Sequence, residues 1–192
     1  IREMLLGDVI SALKGDPAVY ETDSIIYCYP TTLAVTTQRL AHELFKLGVP
    51  LIPRAMSEYA HSYTGIDIHP GARIGKGFFI DHGTGVVIGE TTIIGDNCKL
   101  YQGVTLGAAS FPHSQDGLII RGHKRHPTLE DNVIVYSNAS VLGNITVGTG
   151  ATIHGNVFLT QSVPPGCTVS NTQVELKMKN KCLAIGRGFV SE

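Results

Sequence analysis

Two rhythms of apolar residues run along this chain, and they change over at Gly65. Before it the spacing is helical. Ile1, Met4, Leu5, Val9 and Leu13 predict a helix over residues 1–14, ended by Gly15-Asp16-Pro17-Ala18. Leu33, Thr36, Leu40, Leu44 and Leu47, on one face, predict a second over 32–47, with Gly48 and Pro50 as its stop. A third is expected from Pro53 to Tyr63, burying Met56, Tyr59, Ala60 and Tyr63. Residues 1–65 therefore read as an N-terminal helical cap.

After Gly65 aliphatic residues fall at every sixth position: Ile68, Ile74, Ile80, then Ile88, Ile94, Leu100, Leu106, then Leu129, Val135, Val141, Val147, Ile153, Leu159. Small or aliphatic residues stand two places earlier at Ala72, Thr92, Cys98, Val104, Val133, Ala139 and Ala151. A fixed period of this length is the signature of a β-solenoid. Its physical form is a triangular prism with one short strand per side, aliphatic side chains inside, and glycine or another turn former at each corner. Each coil rests on its neighbours through parallel backbone hydrogen bonds. With three hexapeptides per coil, Ile68, Ile88, Leu106, Val141 and Leu159 stack on the first wall. Ile74, Ile94, Leu129 and Val147 form the second wall, and Ile80, Leu100, Val135 and Ile153 the third.

The rhythm breaks twice. From Ile80 to Ile88 the step is eight, and the surplus falls in Asp81-His82-Gly83-Thr84-Gly85, at the corner between the third and first walls. From Leu106 to Leu129 a polar, mixed-charge segment, Ala108 to about Arg125, must leave the prism as a loop between the first and second walls. Loops of that length in a compact domain are usually functional or disordered. One prism holds the two corners apart, so they would meet across neighbouring subunits, and three prisms side by side would build such clefts symmetrically. The prism is expected over 66–170, and 171–192, with Lys177, Lys179 and Lys181, as an extended or partly ordered tail.

Composition narrows the function classes. Apolar residues make up 43% of 192 and charged residues 16%, with a net charge of −1, which gives nucleic acid and acidic membrane surfaces no footing. No apolar run approaches the roughly 18 residues of a membrane span, and the N-terminus is not signal-like. Cys28, Cys98, Cys167 and Cys182 form no CxxC pair, so neither a zinc site nor a disulfide framework is expected. Cys98 falls on an inward position, and a reducing, cytoplasmic setting is the simplest reading.

Asp67-Ile68-His69-Pro70, Asp81-His82-Gly83-Thr84-Gly85, Val87-Ile88-Gly89-Glu90-Thr91 and Lys124-Arg125-His126-Pro127, in this order, resemble the motifs of serine acetyltransferase. That is a hexapeptide-repeat enzyme that makes O-acetylserine for cysteine synthesis. The resemblance runs from near Gly15 to Val163-Pro164-Pro165. It implies a left-handed parallel β-helix, acetyl-CoA as co-substrate without a metal, and a homotrimer with active sites between subunits, often doubled through the helical caps. His82 matches the general base and Asp67 the carboxylate that orients its ring and stabilises the imidazolium, the logic of a catalytic triad without an enzyme nucleophile. Asp16 and Asp81 match the residues that hold the serine ammonium. Arg125 and His126 match those on its carboxylate, where a guanidinium fork fits, and His126 also suits the oxyanion. Ala108, Ser137 and Gly155 match backbone contacts to CoA.

The chain departs from the family pattern where Gly-Gly-Thr reads Gly107-Ala108-Ala109, in the longer loop that follows, and at a C-terminus lacking the terminal Ile used to engage the next pathway enzyme. A complex with that enzyme is therefore not expected. His69 and Glu90 stay open between a supporting role and an ordinary turn or corner salt bridge. His113 and His123 stay open between a solvated and a functional role, whereas His42, His61 and His154 read as surface or satisfied core histidines. Rival readings are a related transferase for homoserine or a sugar, a zinc lyase of the γ-carbonic anhydrase type, which needs three converging imidazoles, and a non-catalytic scaffold. Asp16, Asp81 and Arg125 together favour a small zwitterion.

Overall fold

The computed structural model describes residues 1–114 and 116–172, so the expected tail, apart from its first two residues, lies outside the described residues. Four helices come first: α1 (Arg2–Gly15), α2 (Thr22–Cys28), α3 (Pro30–Lys46) and α4 (Ile52–Thr64). Strands of two or three residues follow: β1 (Asp67–Ile68), β2 (Arg73–Ile74), β3 (Phe79–Asp81), β4 (Val87–Ile88), β5 (Ile93–Ile94), β6 (Lys99–Tyr101), β7 (Thr105–Gly107), β8 (Thr128–Leu129), β9 (Ile134–Val135), β10 (Ser140–Leu142), β11 (Thr146–Val147), β12 (Thr152–Ile153), β13 (Phe158–Leu159) and β14 (Thr168–Val169). They form three parallel sheets, β1-β4-β7-β10-β13, β2-β5-β8-β11 and β3-β6-β9-β12-β14. This is the parallel β-helix that the six-residue period predicts.

The register pairs Ile68 with Ile88, Ile88 with Leu106, Leu106 with Val141 and Val141 with Leu159, so like residues stack up each wall as expected. Leu100, Leu106, Leu129, Val135, Val141, Val147 and Ile153 are fully enclosed. Two-residue strands have no stability of their own. Burying each such side chain contributes about 1.5–3 kcal/mol, and that column of contacts holds the coils together. Left-handed backbone at Gly77, Asn97, Asn132 and Gly150 rounds one corner, and at Gly85, Gly103, Asn138 and Asn156 another. Asn reaches that region at small cost because its side chain bonds locally.

The cap closes the first coil: Ala34 and Val35 of α3 join Ile66, Ile68, Phe78 and Ile80 in one core. Here the apolar spacing of α3 does not mark its buried face, and the expected burial of two tyrosines in α4 fails. The buried residues of α3 are Thr31, Ala34, Val35, Gln38, Arg39 and Ala41, while Leu33, Leu40 and Leu47 are exposed. The reason is that Gln38 donates to the Ala72 carbonyl and Arg39 to those of Ile74 and Gly75, so polar groups win the inner face. In α4 the buried residues are Pro53, Ser57, Ala60 and Thr64, whereas Tyr59 and Tyr63 are 66% and 76% exposed. The inner face carries small residues where the helix lies close to its neighbours, and the rings stack on each other outside. Helix α2 has no sequence counterpart, because its seven residues bury only Ile25. Among the described residues no helix is long and apolar enough to cross a membrane.

Candidate active site

The first break in the repeat can be located to the residue. At successive coils the amides of Gly85, Gly103, Asn138 and Asn156 donate to the carbonyls of Gly65, Thr84, Gln102 and Ser137. Thr84 and Gly85 therefore make the regular corner, and the two surplus residues are His82 and Gly83. Gly83 has φ +95°, and a Cβ there would lie 2.6 Å from Ile66 Cδ1 and 2.9 Å from Thr31 Cγ2. Only glycine fits between the core and α3. With Gly83 pressed inward, His82, itself at φ +61°, stands outward with its side chain 73% exposed.

Around His82 the end of α1 and the third wall gather charge. Asp81 is buried, its Oδ2 2.9 Å from Lys99 Nζ and its Oδ1 3.8 Å from His82 Nε2. Lys99 Nζ also donates to the Gly15 carbonyl at 2.7 Å. Asp16 follows directly: its Oδ2 accepts from the Tyr29 hydroxyl at 2.5 Å and its Oδ1 from the Ala18 amide at 2.8 Å. The Tyr29 hydroxyl and the Ala18 amide hold the Asp16 carboxyl below its usual range, and the same bond pushes Tyr29 up to about 12. The structure thus brings His82, Asp81 and Asp16 to one place. It does not bring Asp67 into contact with His82. Asp67 lies on the first wall as part of β1, while the ring of His82 is turned toward Asp81.

A second cluster sits at the corner where the long loop returns. Thr91 Oγ1 accepts from the amides of Arg125 (3.0 Å) and His126 (3.1 Å). The Thr91 amide donates to His126 Nδ1 at 3.1 Å. An amide only donates, so Nδ1 is the acceptor and the ring proton sits on Nε2. His126 is buried, and burial, with Arg125 and Lys124 beside it, pushes its pKa down to about 4. It is a neutral hydrogen-bond donor near pH 7. Lys124 Nζ pins the loop by donating to the carbonyls of Thr91, His126 and Pro127; burial lowers it to about 8. Arg125 Nη2 donates to Glu90 at 2.5 Å, which holds the Glu90 carboxyl low and makes Glu90 the corner salt bridge. His69 Nδ1 accepts from the Gly71 amide, a turn contact.

The residues matched to CoA divide between these corners. Ser137 and Gly155 stack in consecutive coils directly up the edge from Thr84 and Gln102. Ala108 follows β7 at the other corner, where the loop departs. Among the described residues none of these three amides donates to another protein group. Among the described residues of one chain the His82 edge and the Arg125 edge share no hydrogen bond or ion pair, so the predicted residues fall into two clusters, two half-sites in the reading proposed below. Tyr29 and Lys99 were not singled out from sequence, and Thr91 and Lys124 stood in the motifs without a role. For Lys99 a signal existed: the six-residue register sets it one coil above Phe79 and next to Asp81.

Residues 126–161 match the bacterial transferase hexapeptide model of six repeats. The plasmid serine acetyltransferase of Synechococcus elongatus is 56% identical over 174 residues, covering 91% of this chain and 54% of that protein. Serine acetyltransferase isoform 3 of Entamoeba histolytica, solved in complex with cysteine, superposes with a TM-score of 0.84 at 42% identity, covering 94% of this chain and 61% of that one. The Neisseria gonorrhoeae serine acetyltransferase in complex with serine gives 0.80 at 32%, covering 91% and 68%. The chain thus spans little more than half the length of the Synechococcus relative. The serine acetyltransferase of Staphylococcus aureus, 44% identical over 182 residues, is covered over 81% of its length, and the chain belongs to the serine acetyltransferase family.

Proposed function

We propose that this chain transfers the acetyl group of acetyl-CoA to the hydroxyl of L-serine, giving O-acetyl-L-serine and CoA, the first step of cysteine biosynthesis from serine in the cytoplasm. The observation that carries the reading is the insertion of His82 and Gly83, which sets an exposed imidazole beside Asp81 and Asp16 at the foot of the Ser137–Gly155 edge. The related structures with serine and with cysteine bound support an amino-acid acceptor.

In this reading the serine ammonium lies against Asp16 and Asp81. Its carboxylate meets Arg125 and His126 of a neighbouring subunit, because one chain holds those groups on different edges. His82 takes the hydroxyl proton as the oxygen attacks the thioester carbonyl carbon. Asp67 steadies the imidazolium only after the ring turns from Asp81 toward the first wall. The Nε2–H of neutral His126 suits the oxyanion of the tetrahedral intermediate. Collapse breaks the C–S bond, and the thiolate recovers the proton from His82. Acetyl-CoA would lie along the edge with its pantetheine arm on the free amides of Ser137 and Gly155 and, from the adjacent subunit, Ala108. The assembly is a homotrimer, and the exposed apolar faces of α3 and α4 support pairing of two trimers through their caps.

The test is thiol release from acetyl-CoA with and without L-serine, for wild type and His82→Ala. Serine-dependent release, lowered at least about a hundredfold in the variant, is expected from a general base worth ~10²–10⁴. Release that depends on homoserine or a sugar instead would sink the substrate assignment, and turnover kept by His82→Ala would sink the base.

A further inference from the structure

Lys99 belongs to the His82 cluster, and neither the repeat nor the motifs supply it a role. It sits on the outer side of the third wall, where an ordinary solenoid lysine would reach into water. Instead its side chain is only 15% exposed, enclosed between the prism and the end of α1. Nζ lies 2.9 Å from Asp81 Oδ2 and donates to the Gly15 carbonyl at 2.7 Å. The same ammonium stands 4.5 Å from the ring centre of Tyr101 and 4.9 Å from that of Phe79, within the range of cation–π attraction. A cation at the C-terminal end of a helix is favoured by the helix dipole. Burial by itself would lower the pKa of Lys99, but its partners Tyr101 and Asp81 outweigh that and hold it above the ordinary lysine value.

The two contacts act on the two carboxylates. By taking Oδ2, Lys99 leaves Asp81 Oδ1 as the oxygen turned to His82. By holding the Gly15 carbonyl, it fixes the residue next to Asp16, whose own oxygens are set by Tyr29 and Ala18. Charge points the same way. Asp16 and Asp81 bring two negative charges and Lys99 one positive, so the corner carries one uncompensated negative charge, the complement of a single ammonium. We propose that Lys99 is the positioning residue of the ammonium subsite, orienting Asp81 and Asp16 toward the amino group of the acceptor. This rests on the reading of the acceptor as serine.

The test varies L-serine and acetyl-CoA separately in the thiol-release assay with Lys99→Gln, Lys99→Met and Lys99→Arg, beside calorimetric titration of L-serine and thermal melts. Lys99→Gln can still donate to the Gly15 carbonyl while losing the charge, so it keeps the proposal testable if Lys99→Met does not fold. Expected for Lys99→Gln is a rise in the serine KM of about tenfold, the loss of one charge-assisted contact, with kcat and the acetyl-CoA KM within about twofold to threefold. Lys99→Arg should recover most of the serine KM. An unchanged serine KM in Lys99→Gln overturns the positioning role and leaves acetyl transfer to serine standing. Parallel loss of kcat and of both KM values with a lowered melting temperature, unrescued by Arg, makes Lys99 merely structural and also overturns it. A wild type that neither binds nor acetylates serine overturns both readings.

Discussion

A buried ion pair between α1 and α3 carries hydrogen bonds from the cap to the prism backbone, and cutting it offers a severe test of how the fold positions its site. Arg39 on α3 donates through Nε to Asp8 Oδ2 at 2.6 Å and through Nη2 to Oδ1 at 2.7 Å. The same guanidinium reaches the carbonyls of Ile74 at 3.1 Å and Gly75 at 2.8 Å, and Asp8 Oδ1 accepts the Phe78 amide at 2.9 Å. The side chains are 3% and 11% exposed. Burial is strong enough to raise the Asp8 carboxyl above its usual range although Arg39 and the Phe78 amide pull it down. Arg39→Met would leave that carboxylate desolvated without its cation. Removing one partner of such a pair costs about 3–5 kcal/mol, against roughly 0–1 for a surface pair and a domain stability of about 5–15.

Guanidinium unfolding gives the stability difference, and hydrogen exchange at the Phe78 amide reports whether the cap lifts locally. The double variant Asp8→Leu with Arg39→Met removes both charges. It should be less damaging than the sum of the two single changes by at least about 2 kcal/mol, the sign of a coupled pair. Full recovery is not expected, because the Phe78 amide and two prism carbonyls still lose partners, at about 1–3 kcal/mol for each left unsatisfied. A loss below about 1 kcal/mol for Arg39→Met, or strict additivity in the cycle, would refute the claim that this pair holds the cap.

Two further predictions concern the returning loop. A Cβ at Gly89 would stand 2.1 Å from both Cδ2 and Nε2 of His126, so the ring must retreat and strain its bond from Thr91. Gly89→Ala should lose about 1–3 kcal/mol of stability and at least about tenfold in kcat, one well-placed donor being worth more than that; unchanged kinetics would show that the ring has room to move. His126 titrates near 4 in the folded chain against 6.5 as the ordinary value, so the unfolded chain binds this proton more readily. Stability is therefore lost as pH falls from about 6.5 toward 4, by on the order of 3 kcal/mol. Unfolding curves for wild type and His126→Asn should converge over that window, and a difference independent of pH would contradict the buried, neutral ring.

The solenoid was legible because each residue in it answers to neighbours at a fixed offset. Six-residue spacing set which side chains point inward, three hexapeptides per coil set which of them stack, and the observed pairs Ile94↔Leu129 and Leu106↔Val141 match even across the long loop. His82 was legible for the same reason, since an insertion shows only against a regular background. The cap obeyed no such rule. The apolar spacing of α3 set Leu33, Leu40 and Leu47 on one face, yet the inner face went to others, Gln38 and Arg39 among them. The carbonyls of Ala72, Ile74 and Gly75 lie within reach of that face, and buried acceptors demand donors. Which carbonyls those are depends on where the helix lands on the prism, which local spacing does not encode.

The same distinction explains how the two half-sites are divided. His82, Ser137 and Gly155 share one edge, and Ala108, Arg125 and His126 lie at the next, with the outward side of the first wall between them. Stacked coils cannot fold an edge over, because every coil is pinned above and below by its strand pairs and by a filled interior. The loop does not bridge the gap either, since Lys124 and Thr91 hold its returning end to its own corner. A ligand that needs both the carboxylates at His82 and the guanidinium of Arg125 must therefore be met by two copies of the chain. Under the proposed reaction, the rigidity that makes the repeat readable is also what calls for a second copy of the chain at the site.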